Sequence, residues 1–268
     1  MPSRLLILLF TTIPGISIGF SRKDHLFTPI ILETGSTYRL ISYSQQRDLF
    51  GRDIIPVHRA HDQYVDTKIN IFETLGWHNG LGYHEIGFGH EFVVIFIHGL
   101  GGHRGRGWND WSFGGNFNRL KNLAVRFNGR YISPDIPSFQ AGASHIAGII
   151  AEQRRDHPTK KVILACGSSG GRVCWDLYAR TDIPLDGLIL LGSTFPSRAI
   201  LNRRSIPVFW GHGTADTSIP HGPLQRFVAS INDRPVMLDL YETGVHGTPL
   251  RMIDWAWTLT WISSHRTQ

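Results

Sequence analysis

Residues 161–180 read "KVILACGSSGGRVCWDLYAR". The run Lys161–Cys166 is apolar, rich in branched side chains and closed by glycine, the pattern of a strand buried on both faces. Gly170–Arg180 then reads as a helix. Between them lie two adjacent serines among glycines. A strand that turns sharply into a helix is one step of a β-α-β succession, and such a succession implies a parallel sheet.

The same grammar extends on both sides. Phe92–Ile97, "FVVIFI", is a second continuous apolar strand, ended by "HGLGG" at His98–Gly102. Asn116–Phe127 reads as a helix, Arg130–Ser133 as a strand and Ala143–Arg155 as a helix. After the central unit come strands at Leu188–Leu191, Ile206–Trp210 and Val236–Tyr241, with a helix at Leu224–Ile231. A last helix is expected from Pro249 to about Ser264, with Leu250, Ile253, Trp257 and Trp261 on one stripe. Earlier, Lys68–Leu75 is strand-like, Gly80-Leu81-Gly82 marks a turn, and a hairpin around Gly35-Ser36 fits Ile30–Leu32 and Tyr38–Ile41. The expected fold is a mostly parallel α/β sheet with helices on both faces, in a single domain.

The chain has 268 residues, 41% hydrophobic and 18% charged, which suits one α/β domain with a substantial core. Its 27 basic and 21 acidic side chains give a net charge of +6. The arginines are scattered and no nucleic-acid motif occurs, so the charge does not indicate a nucleic-acid partner. Residues 1–19 begin "MPSRLLILLFTTIPGISIG". A positive start, a short apolar core and small residues at Ser17-Ile18-Gly19 follow signal-peptide grammar. Export is therefore expected, with an N-terminal anchor or a cytoplasmic chain as the alternatives. Any membrane contact would run through that segment. Residues 20–66 form a poorly defined extension, and 67–268 the folded domain. Cys166 and Cys174 flank the serines and are expected as buried thiols, because a bridge from a strand end to the next helix looks strained.

In a parallel sheet, functional groups gather at the carboxyl ends of strands. The spacing G-x-S-x-G fits Gly167, Ser169 and Gly171, which selects Ser169 as a nucleophile on a strand-to-helix turn. A serine needs a base, usually a histidine held by a carboxylate. His246, in "ETGVHGTP", follows the last strand and precedes the last helix. "GSTFPSR" after Leu191 holds no acid. Asp216 is the acid of "GHGTADTSIP" after Trp210, and it is selected by elimination. The amides of Leu100 and Gly170 are the expected oxyanion donors. "HEIGFGH" at 84–90 departs from the H-E-x-x-H spacing of a helical metal site, and no metal is expected there.

The pieces "FIHGLGG", "GSSGG", "HGTADTSIP" and "GVHGTP" stand in the order Ser169, Asp216, His246. On them the chain resembles the α/β-hydrolase superfamily from about residue 68 to the C-terminus. The resemblance implies a serine hydrolase without a cofactor, acting on a small-molecule or lipid ester or thioester. Amide cleavage, or a non-catalytic binding role on the same fold, remain the alternatives. The stretch between Leu191 and Ile206 is too short for a helical cap domain, so an open site that prefers short acyl chains is expected. Trp108, Trp111 and Phe113 are candidates for an acyl pocket or for simple packing of their loop. Arg104 and Arg106 either make the mouth of the site cationic or are solvated loop charges.

Overall fold

The structure, a computed structural model, describes residues 29–44, 48 and 72–265. The signal-like stretch 1–19, most of the extension and residues 67–71 lie outside the described residues. The strands are β1 (Ile30–Thr34), β2 (Tyr38–Ser42), β3 (Glu73–His78), β4 (Leu81–Ile86), β5 (Phe92–Ile97), β6 (Gly129–Pro134), β7 (Lys161–Gly167), β8 (Gly187–Leu191), β9 (Val208–Gly213) and β10 (Val236–Tyr241). The helices are α1 (Asn116–Arg126), α2 (Gly142–Asp156), α3 (Gly171–Ala179), α4 (Arg198–Leu201), α5 (His221–Ala229), α6 (Thr248–Met252) and α7 (Trp255–Ser264).

All ten described strands join one sheet, in the order β1-β2-β10-β9-β8-β7-β5-β6-β4-β3. From β6 across to β10 and β2 every pairing is parallel, while β1, β3 and β4 pair antiparallel. The β3–β4 hairpin turns on Asn79 and Gly80, at φ of 47° and 78°. Positive φ at both positions is what a two-residue type I′ turn demands, and Asn-Gly supplies it.

Alternation along β5 explains why the strands carry helices on both faces. Val93, Ile95 and Ile97 pack with Ile146 and Ile149 of α2, Val173 and Leu177 of α3, and Leu224 of α5. Val94 and Phe96 point the other way, to Phe117 and Leu120 of α1 and Trp255 and Trp261 of α7. These strand side chains are at most 3% exposed, so each contributes roughly 1.5–3 kcal/mol of burial free energy, before conformational entropy is set against it.

β5 is followed by β6 on one side, and α2 then carries the chain to β7 on the other side. The crevice beyond the carboxyl ends of β5 and β7 is therefore the topological switch point, where open α/β sheets bind ligands. "HGLGG" and the paired serines flank it.

Two expectations are corrected here. Cys166 and Cys174 are joined as a disulfide, with Cα atoms 6.5 Å apart. That separation lies inside the range a bridge can span, because the helix starts immediately after the turn and folds back on the strand end. The last helix is broken in two. Asp254 interrupts it with an extended backbone, and its side chain caps α7 by accepting from the Trp257 amide at 3.0 Å.

Candidate active site

β7 ends at Gly167, and the next residue, Ser168, has φ of 49°. A non-glycine residue held there costs roughly 1–3 kcal/mol, and the strain must be fixed by its surroundings. Several contacts do so. The Ser193 hydroxyl donates to the Ser168 carbonyl at 2.8 Å. The disulfide straddles the turn. Gly170 and Gly171 let the helix start approach β5 and Ser193 closely: a Cβ on Gly170 would sit 2.5 Å from the Ile97 carbonyl oxygen.

The strain aims one side chain. Ser168 Oγ donates to His246 Nε2 at 2.8 Å, and His246 Nδ1 donates to Asp216 Oδ2 at 2.7 Å. Asp216 and His246 thus meet as the sequence led us to expect, but the serine they meet is Ser168. This corrects the expectation for Ser169. Its hydroxyl has no hydrogen-bond partner among the described residues, and it lies one position past the strained turn. The physical reason is register. The residue that leaves the strand takes the left-handed conformation, and that residue is Ser168 because β7 runs through Gly167. Cys166 occupies the small-residue position where the sequence pattern asks for glycine, so the pattern matched one residue late.

Two loops hold the histidine and the acid together. The Ala215 amide donates to the Gly244 carbonyl and the Thr214 amide to the Tyr241 carbonyl, both at 2.9 Å. Gly213 passes so close to Gly244 that a Cβ would lie 2.2 Å from its carbonyl oxygen. Val245 and Thr248 exchange hydrogen bonds around His246 at 2.9 Å each. The Asp216 side chain is fully buried. Its Oδ1 accepts from the amides of Ser218 and Ile219 at 2.8 and 3.0 Å.

Sequence reasoning missed His212, a fully buried neighbour of the acid. Its Nε2 donates to the Ile219 carbonyl at 2.7 Å and lies 3.5 Å from Asp216 Oδ2. Burial, the largest influence, pushes this imidazole below its usual pKa and keeps it neutral. The signal was present in "GHGTADTSIP", where a histidine sits inside the strand end that carries the acid.

"HGLGG" forms a turn closed by the Gly102 amide on the Gly99 carbonyl at 3.1 Å, with Gly101 at φ of 68°. A Cβ on Gly99 would lie 3.1 Å from Ser168 Cβ, so the turn touches the serine directly. Leu100 stands at its crest, 82% exposed, and its amide makes no backbone hydrogen bond among the described residues. Gly170, the other expected donor, packs closely against Ile97 and His98. With the serine at 168, the amide that follows it is that of Ser169, at the open start of the helix.

The aromatic insertion packs onto β4, β6 and α1. Trp108 stacks between His84 and Tyr131, at ring separations of 5.0 and 5.8 Å, and Phe113 packs on Phe117. Arg104 is held by Asp135, so it is not a free cation at the mouth. The connection from β8 to β9 holds only the four-residue α4.

Comparison with known proteins identifies the family and the fold. The model of the Alpha/beta hydrolase family matches residues 94–266. Acyl-protein thioesterase 1 of Debaryomyces hansenii is 25% identical over 159 residues, which cover 46% of this chain and 68% of that protein. An alpha-beta serine hydrolase homologue from Coxiella burnetii superposes with a TM-score of 0.52 at 11% identity, covering 74% of this chain and 98% of that one. A thermophilic esterase from Thermogutta terrifontis gives 0.51 at 14% identity, covering 73% and 99%. At such identities the two solved structures show a shared fold alone.

Proposed function

This chain belongs to the alpha/beta hydrolase family, and from that premise we propose that it is a serine hydrolase of carboxylic esters or thioesters that uses Ser168, His246 and Asp216. The observation that carries the reading is the unbroken hydrogen-bond chain from Ser168 Oγ through His246 to Asp216. The thioesterase name of the similar Debaryomyces hansenii protein supports the thioester bond class, and the same acyl transfer serves carboxylic esters.

In this reading Ser168 Oγ attacks the carbonyl carbon while His246 Nε2 takes its proton. Asp216 holds the imidazole in the tautomer with hydrogen on Nδ1 and stabilises the imidazolium that forms. The amides of Ser169 and Leu100 receive the oxyanion, each such donor stabilising the transition state by about 3 kcal/mol. Collapse of the tetrahedral intermediate expels the alcohol or thiol, which leaves with the proton from His246. Water then enters, His246 deprotonates it, and attack on the acyl-serine releases the carboxylic acid and restores Ser168. The short β8–β9 connection supports an open site and a preference for short acyl chains. The Cys166–Cys174 bridge fits an exported chain, since disulfides persist in oxidising compartments.

The test compares kcat/KM for matched p-nitrophenyl ester, thioester and anilide substrates, with wild type and Ser168→Ala. Ester or thioester turnover lost in the variant is expected. Faster anilide cleavage would move the reading to an amide hydrolase, and an inactive wild type would refute it.

A further inference from the structure

One helical turn beyond Ser168, the outer side of α3 opens into a groove of about 330 Å³. Its floor is Arg172, Trp175 and Asp176. Phe139, from the loop after β6, and Thr194 and Ile200, from the β8–β9 connection, form its walls. The floor is fixed: Trp175 Nε1 donates to the Thr194 carbonyl at 3.1 Å, and its ring packs against Tyr178 and Trp210. The groove lies beside the catalytic turn: Arg172 is four residues past Ser168, and Thr194 directly follows Ser193, whose hydroxyl holds the Ser168 carbonyl.

The charges in this groove have an order. Arg172 and Asp176 are both exposed, and neither forms an ion pair among the described residues. Arg172 lies in the first turn of α3, which starts at Gly171, and at a rise of 1.5 Å per residue the Asp176 backbone lies roughly 6 Å farther along the helix, away from the serine. A substrate reaching from the serine into the groove therefore meets an unpaired cation first and an unpaired anion farther out. An unpaired guanidinium beside aromatic and aliphatic walls suits a planar carboxylate better than a neutral group.

We propose that this groove is a substrate subsite, with Arg172 as a specificity-determining residue, and that it selects esters or thioesters bearing a carboxylate a few bonds from the scissile carbonyl. The proposal rests on the hydrolase reading above.

The test uses the full chain and two matched pairs. In one the carboxylate is on the acyl side: 4-nitrophenyl hydrogen adipate against its methyl ester. In the other it is on the leaving group: 4-acetoxybenzoate against its methyl ester. The quantity read is the acid-to-methyl-ester ratio of kcat/KM at low salt, in wild type, Arg172→Gln, Arg172→Lys and Asp176→Asn. In at least one pair the ratio is expected to fall about fivefold in Arg172→Gln, to recover in part in Arg172→Lys, and to rise in Asp176→Asn. The responding pair tells which side of the substrate the groove takes. Ratios unchanged within twofold in both pairs would overturn the subsite while leaving the hydrolase reading intact. Failure of the wild type to turn over any of the four esters would overturn the hydrolase reading and the subsite with it.

Discussion

Replacing Gly170 by alanine tests the coupling between the packing of the helix start and the chemistry. The added Cβ would lie 2.5 Å from the Ile97 carbonyl oxygen and 2.7 Å from that of His98, about 0.9 and 0.7 Å short of ordinary contact at 3.4 Å. Both obstacles are backbone atoms, so no side chain can swing aside. The end of β5 and the start of α3 must separate, and the separation moves the Gly99–Leu100 turn away from Ser168. Overpacking of this kind costs about 1–3 kcal/mol. At roughly 2–4 °C per kcal/mol for a chain of this size, the melting temperature should drop by several degrees and the protein should remain folded. The rate should suffer more, because a displacement near 1 Å in a catalytic arrangement costs on the order of 10²-fold. Thermal unfolding and kcat on p-nitrophenyl butyrate are measured together. Gly80→Ala serves as the control: its φ of 78° strains a side chain, but nothing lies within 4 Å and the hairpin is at the far sheet edge. The control should lose stability and keep its kcat. A Gly170→Ala protein with kcat within threefold of wild type and an unshifted melting temperature would refute the reasoning.

His212→Leu leaves the part-buried Ile219 carbonyl without its donor, so a loss of about 0.5–1.5 kcal/mol in denaturant unfolding and a lower kcat at similar KM are expected. Cys166→Ala with Cys174→Ala opens a short loop, with the cysteines eight residues apart, that contains Ser168; unfolding under non-reducing conditions should show a loss of roughly 2–3 kcal/mol. Burial lowers the pKa of His98, His145 and His212 below the ordinary 6.5. Below that pH the unfolded chain binds protons that the fold resists. Stability should therefore be full above about pH 6.5 and decline as pH falls, by up to about 1.4 kcal/mol per pH unit for each of the three, as read from melting temperatures between pH 7 and 5.

What the sequence revealed and what it concealed divide along physical lines. Buried parallel strands announce themselves as continuous apolar runs, so β5, β7, β8 and β10 were legible within a residue or two. That His246 and Asp216 come together was legible because each follows such a strand. The choice between Ser168 and Ser169 was not, because it depends on which residue leaves β7 with positive φ. A cysteine standing where glycine is usual shifted the apparent spacing by one. The strand end offered the better clue, since the residue directly after it makes the turn. The disulfide was hidden because it depends on how sharply α3 folds back on β7. β2 could be read as half of a hairpin with β1, but its parallel pairing with β10 joins residues about 200 positions apart and leaves no local trace. The break before α7 was readable in principle, since Asp254 precedes an apolar run as helix-capping residues do.

The central claim is that Ser168, raised on the strained turn and bonded to His246, is the nucleophile. Labelling with a fluorophosphonate, followed by reduction, alkylation and trypsin, yields the peptide Val162–Arg172, which contains both serines. Fragmentation between them locates the adduct. The account predicts the phosphonyl group on Ser168, labelling abolished in Ser168→Ala and retained in Ser169→Ala. An adduct on Ser169, or undiminished labelling of Ser168→Ala, would contradict it.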